Sequence, residues 1–462
     1  MDDDLMLAHS LSESNTPRLV WRLLFLTLPL ALTTLVGALD PDMAAFLGLA
    51  MSGGLAALSP IYAFPMILYG VALNNLTFIA GVHFGWMIIA GGTLGSLVHI
   101  LLRREGVKFS ILFLVMVISF MLLEINGGLL RGSVRLDRLF ALAFLLVYLG
   151  LLTSMNLFHL LYGVFGDDPR KAFVYMVACV GVAVVASILT MLSSQEFSMA
   201  RSGELGLSIG DTESSPRSLS NILGVVVVTS VMSAASLSAK PLDKMIWVSV
   251  AFASFMGMVY TGSRMPVASV GFGITLGLIA HVAFSGRSSR PINSLWFLIF
   301  LGFVYLLTES LLSMGPEVLP FIGSHVSELR LLRPPDIGSN VRFEMWGAYL
   351  AEVNYLKLIF GSGIGELGNP HSLYIGTLGA FGLIGLSLLS AFIVYFLIKA
   401  ISNRSAVAVS IIAYTVLVLA SSSDVDKSYF WVMMTIAIIF LRIDAEAMLT
   451  DPESQPLSRG VA

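Results

Sequence analysis

The sequence predicts an all-α polytopic integral membrane protein with 12–14 transmembrane helices. Three observations carry that expectation. Hydrophobic residues make up 56% of the 462-residue chain and charged residues only 12%, about half the roughly 25% of an ordinary soluble domain. Mean hydropathy is +0.88. Apolar runs of about 20 residues, the length that crosses a ~30 Å hydrocarbon core, recur along the chain. A net charge of −3, with no Lys/Arg run longer than two, argues against disorder, a coiled coil and a nucleic-acid partner. The single cysteine, Cys179, excludes a disulfide framework and a cysteine-based metal cluster.

Fourteen apolar spans are expected: 20–39, 43–59, 60–82, 84–102, 109–126, 139–161, 172–193, 221–239, 245–263, 265–284, 293–312, 372–398, 405–423 and 428–442. The second and third are rich in Gly and Pro (Gly53, Gly54, Pro60, Pro65) and could form a re-entrant pair, which leaves twelve spans and the same parity. The first follows Arg18 and Arg22 and ends Val36-Gly37-Ala38, like a signal-peptide cleavage site. Its uninterrupted apolar run, about 17 residues, exceeds a signal h-region, so an uncleaved anchor is expected. The chain divides into a polar tail (1–19), N-terminal spans (20–193), central spans with an external loop at 194–220 (194–312), a large external loop (313–371), C-terminal spans (372–442) and a second tail (443–462). Both tails are cytoplasmic in this topology, and no internal repeat is visible.

Basic residues orient the chain, because Lys and Arg accumulate on the cytoplasmic side. With the N-terminus inside, 15 of the 26 Lys and Arg fall in cytoplasmic segments, among them Arg103, Arg104, Arg170, Lys171, Lys240, Lys244, Lys399, Arg404 and Arg442. The other eleven fall outside: Arg131, Arg135, Arg138, Arg201, Arg217, Arg264, Arg330, Arg333, Arg342, Lys357 and Lys427. External arginines run against the insertion bias and are candidates for binding an anion. Long loops also translocate regardless of charge, so incidental placement stays open for each of them.

Within the large loop, Asn340 can cap an amphipathic surface helix from Val341 to Val353, in which Arg342, Trp346, Tyr349 and Val353 share a face. Glu344 and Trp346 belong to the same segment. A glycine-rich turn, Phe360-Gly361-Ser362-Gly363-Ile364-Gly365, follows, and then Asn369-Pro370-His371-Ser372 opens the next span.

Two positions suit chemistry at the external face. Arg264 closes an apolar span at Thr261-Gly262-Ser263-Arg264, where a guanidinium can fork onto a phosphate; its alternative role is an interfacial anchor. His371 sits at an expected helix N-terminus, which disfavours the imidazolium and leaves a neutral base; its alternative role is an interfacial polar residue. His325 is a reserve base in the large loop. Asp40-Pro41-Asp42 and Asp424-Val425-Asp426 are weak candidates for a divalent metal on a diphosphate. No P-loop, dinucleotide fingerprint, His-Glu-x-x-His or Gly-x-Ser-x-Gly is present.

Over roughly 195–390 these pieces resemble the O-antigen ligase and polymerase (Wzy-like) superfamily of bacterial envelope polysaccharide assembly, in the family's order. Arg201-Ser202-Gly203 and Arg217-Ser218-Leu219-Ser220-Asn221 are similar to its arginine-containing loop and helix start. Thr261-Gly262-Ser263-Arg264 resembles its Ser-Arg junction. Val341-Arg342 to Trp346, the glycine-rich turn, His371 and Gly379-Ala380-Phe381-Gly382-Leu383-Ile384-Gly385 resemble its large periplasmic loop and the helix that follows. Two departures are Ser372 where the family has Asn, and Ser220 where it has Pro, so Arg201 and Arg217 compete for one role.

The resemblance implies a GT-C-like glycosyltransferase of the bacterial inner membrane with its site facing the periplasm. It would move a glycan from undecaprenyl diphosphate to an acceptor sugar hydroxyl, on another glycan or on lipid A core, without metal or other cofactor. Arg264, Arg342 and Arg201 or Arg217 would hold the diphosphate, and His371 would take the acceptor's proton. Glu344, Trp346 and Tyr349 would position the acceptor, and the spans around 221–284 would hold the polyprenyl tail. A chain-length regulator and a flippase are the protein partners it implies. Two alternatives stay open. One is a metal-dependent GT-C enzyme using the Asp pairs. The other is a flippase or transporter of lipid-linked sugars, which would want ionisable residues within its spans.

Overall fold

The computed structural model describes residues 27–36, 41–73, 78–79, 82–103, 110–131, 136–155, 157, 161, 168–193, 199–200, 204–205, 207–209, 212–214, 216–261, 264–285, 302, 347, 353–364, 372–420 and 428–450. They are overwhelmingly helical. The elements are α1 (Thr27–Val36), α2 (Pro41–Leu58), α3 (Pro60–Ala72), α4 (Phe84–Arg103), α5 (Ile111–Arg131), α6 (Leu136–Ser154) and α7 (Pro169–Ser193). Then come α8 (Pro216–Ser236), α9 (Pro241–Tyr260), α10 (Arg264–Ser285), α11 (Tyr355–Phe360), α12 (Leu373–Ser402), α13 (Ala406–Leu419) and α14 (Ser428–Thr450). Three short antiparallel ladders sit in connections: Phe78–Ile79 with Val82–His83, Met199–Ala200 with Glu204–Leu205, and Leu207–Ile209 with Thr212–Ser214.

Among the described residues, eight helices are long and apolar enough to cross a membrane: α4, α5, α7, α8, α9, α10, α12 and α14. The chain is a multi-pass membrane protein. Shorter apolar helices, α1, α2, α3, α6 and α13, stand where five further spans are expected. The expected span 293–312 lies outside the described residues except for Gly302.

Proline sets many of the starts. Pro41, Pro60, Pro169, Pro216 and Pro241 each stand first in a helix, where the missing N–H costs nothing and the fixed φ suits the turn. Pro216 therefore starts α8 five residues before the expected 221, and Arg217 lies in its first turn rather than in a loop.

Small residues bring the helices together, as expected where lipid supplies no hydrophobic drive between them. α2 and α4 run parallel: Gly48 meets Ile88, Gly53 meets Gly91, and Gly95 lies against Gly53 and Ala56. The Ser52 hydroxyl donates to Ile88 O at 2.8 Å across this seam. α5 packs antiparallel on α12 through an aromatic layer, with Phe113 against Phe392 and Phe120 stacked on Phe381 at 4.7 Å; Trp431 of α14 contacts both Phe120 and Phe392. α8 is the central helix and is buried throughout 218–235.

One end of the bundle gathers the basic residues assigned above to the cytoplasm. Arg170 Nε pairs with Asp444 Oδ1 at 2.7 Å, and Arg442 donates to Met155 O. Tyr175 donates to Asp243 at 2.6 Å, beside Lys240 and Lys244. Asn403 reaches Leu441 O, which places the end of α12, with Lys399 and Arg404, at the same level.

Candidate functional site

The opposite end of the bundle is organised by α13. Its Tyr414 hydroxyl donates to Asn221 O of α8 at 2.8 Å, and Val416 O accepts from Tyr374 of α12 at 3.0 Å. Gly273 and Gly277 of α10 lie on Ser410 and Tyr414, and the Ser410 hydroxyl donates to Gly273 O at 2.7 Å. Following these contacts along each helix brings the N-termini of α8, α10 and α12 to one end. Arg217 is in the first turn of α8, Arg264 is the first residue of α10, and Ser372, the residue after His371, caps α12. Each helix N-terminus carries partial positive charge and free N–H groups, which favours an anion at that end.

The same end holds buried polar atoms with no hydrogen-bond partner. Asn221 is 0% exposed, and neither its side-chain oxygen nor its nitrogen is bonded; the Ser220 and Ser428 hydroxyls are in the same state. Many buried hydroxyls, those of Thr33, Thr93, Ser96, Thr153, Ser187, Thr377, Thr415 and Thr435, are satisfied on the carbonyl one turn back, whereas Ser59, Thr229, Ser230, Ser233, Ser254 and Ser269 are unbonded like Ser220 and Ser428. The carboxamide of Asn221 has no such local solution, and burying it unpaired costs about 1–3 kcal/mol.

The two glycine motifs meet below this end. The turn Gly361–Ile364 lies along α12 where that helix breaks: Ser362 N donates to Gly379 O at 2.8 Å and Gly363 N to Ala380 O at 3.0 Å. Gly382 has φ +64°, a left-handed conformation that interrupts α12, and Gly361 has φ +82°. A Cβ on either would strike backbone of the other strand of the junction, Ala380 O for Gly361 and Ile359 O for Gly382. The other side of the turn rests on α5. Ile364 N donates to Glu124 Oε2 at 2.6 Å, and Gly127 meets the backbone of Gly363.

The remaining sequence candidates fall outside the described residues: Arg201, Arg342, Glu344, Trp346, Tyr349, and His371 itself. The side chains of Arg217 and Arg264 do too, although their backbones are placed. Three residues escaped the sequence reading. Glu124 is a lone acid in an apolar run, Tyr414 a lone tyrosine in another, and Asn221 drew notice only as a helix start. A buried ionisable group within a span was the available signal for Glu124.

Among the described residues no three His, Cys, Asp or Glu side chains cluster as a metal site. No protein-family model matches the sequence, and no curated protein sequence matches it.

Proposed function

We propose that this protein is a metal-independent membrane glycosyltransferase, a polysaccharide polymerase or O-antigen-type ligase. It takes a glycan from undecaprenyl diphosphate on the periplasmic side and joins it to an acceptor hydroxyl on another glycan or on lipid A core. The observation that carries the reading is that three helix N-termini, bearing Arg217, Arg264 and the residue after His371, lie at the same end of the bundle, opposite the basic cluster. A diphosphate leaving group needs positive charge that does not titrate, which arginine and helix N-termini provide. In this reading His371 removes the acceptor's proton as the new glycosidic bond forms.

Two further features support it. α9 and α10 are consecutive helices that both pack on α8. Their outward apolar side chains, Met245 and Ile246 on one and Phe272 and Ile279 on the other, suit a polyprenyl tail with Arg264 at its head. The unbonded amide of Asn221 suits a hydroxyl-rich or phosphorylated ligand. A chain-length regulator and a flippase are the partners such an enzyme would work beside.

The test is complementation of a deletion strain with wild type, His371→Ala and Arg264→Ala. Both variants should lose high-molecular-weight polymer at normal protein abundance; unchanged polymer in both sinks the reading. Loss of glycan from lipid A core with lipid-linked polymer still accumulating identifies a ligase.

A further inference from the structure

α11 and the turn after it do not sit as a surface loop. Gly379–Gly382, to which the turn is paired, lies six to nine residues inside the start of α12, about 9–13 Å along its axis. Glu124 is five residues inside the end of the span Ile111–Leu129. The turn is therefore set below the outer end of both helices it touches. α11 presents Tyr355, Leu356 and Ile359 outward, exposed apolar side chains on a helix that packs against α12 and α5. Irregular backbone at that depth is tolerated only where protein satisfies its polar groups. Here Gly379 O, Ala380 O and the Glu124 carboxylate take the three successive amides of Ser362, Gly363 and Ile364. Ser362 is 2% exposed and Ile364 2% exposed.

We infer that residues 355–364 form a re-entrant segment, and that Glu124 is the positioning residue that clamps it, on the N-terminal side of His371. The sequence order gives the clamp its purpose. Ile364 is held on α5 and α12, Ser372 begins α12 itself, and His371 lies between these two anchors. Ile364 and Ser372 are thus the two held points from which the chain reaches His371, and a base positioned before substrate arrives is what transfer to a hydroxyl needs. A carboxylate can accept from the main-chain N–H of Ile364, and Gly127 is required because any side chain there would push Gly363 away.

The consequence for transfer rests on the proposed function; the clamp does not, and one experiment separates them. In a Cys179→Ala background, Ser362→Cys reports whether the turn is seated, through its labelling by a membrane-impermeant maleimide. With Glu124 intact the thiol should be protected. Glu124→Ala should raise the labelling rate at least tenfold and cut glycan transfer by a similar factor through kcat rather than KM. Glu124→Gln keeps an acceptor oxygen and should restore both protection and transfer to within about threefold of wild type. Gly127→Val, with Glu124 untouched, should unseat the turn as Glu124→Ala does, and supplies the test if Glu124→Ala is poorly folded. Equal labelling in wild type, Glu124→Ala and Gly127→Val overturns the clamp, as does a Glu124→Gln variant labelled as fast as Glu124→Ala. Deprotection by Glu124→Ala in a protein whose wild type shows no glycan transfer keeps the clamp and rejects the glycosyltransferase reading.

Discussion

The hydroxyl of Tyr414 is bonded to the main-chain oxygen of Asn221, leaving that asparagine's own carboxamide buried and unbonded beside it. Gly224 lies against the same hydroxyl, one turn further along α8. This contact fixes α13 to the start of the central helix and sets the level of the three helix N-termini.

Removing that hydroxyl should loosen the junction without emptying it. Tyr414→Phe is expected to cost about 1 kcal/mol, the usual net value of one internal hydrogen bond. Thermal unfolding in detergent would show it as a small drop in Tm. Gly224→Val, which drives a side chain into the ring, should cost considerably more.

Asn221 should behave in the opposite sense. Replacing an unbonded buried amide by Leu removes a desolvation penalty, so Asn221→Leu is expected to match or exceed wild-type Tm. The same variant should lose glycan transfer by about tenfold or more if the amide is kept for substrate. A Tm rise with unchanged transfer would assign Asn221 no part in binding.

At the proposed diphosphate site, charge alone should not suffice. Arg264→Ala should lower transfer by about 10²-fold, in the range seen when one charge-stabilising donor is removed. Arg264→Lys keeps the charge but not the bidentate fork and should recover only part of it. Quantified polymer per unit protein is the measurement.

The broken helix depends on one glycine conformation. Gly382→Ala places a methyl group against Ile359 O at a φ of +64°, and about 1–3 kcal/mol of strain is the expected cost. Seating of the turn, followed by proteolysis or maleimide labelling at position 362, should fail before the bundle itself unfolds.

Transfer by purified protein should survive EDTA. Abolition by EDTA and recovery with Mg²⁺ would move the catalytic role to Asp40, Asp42, Asp424 and Asp426.

Much of this architecture is legible from one-dimensional periodicity. Eight of the expected spans are helices long and apolar enough to cross lipid, because such a helix announces itself by length and apolarity, and five more coincide with shorter apolar helices. The errors are at ends. α3 stops at Ala72 rather than 82, where the short ladder of Phe78–Ile79 with Val82–His83 intervenes, and α8 starts early at Pro216. The candidate site was half visible. Arg217, Arg264 and the position after His371 stand at helix starts that Pro, Ser and charge patterns mark. Glu124 was not visible, because its partner, Ile364, is 240 residues away and contributes only a main-chain N–H. No side-chain type at 364 encodes that contact. The meeting of Gly361–Ile364 with Gly379–Gly382 was foreshadowed by composition, but their pairing is a property of three dimensions.

The distances in sequence between these partners also order the protein's birth. Glu124 enters the bilayer with α5 long before Ile364 is synthesised, and Asn221 precedes Tyr414 by 193 residues. Arg170 likewise waits for Asp444 on the last helix. A nascent chain that has threaded only its first ten helices lacks Ile364, Tyr414 and Asp444, so these three contacts close only when the later helices arrive.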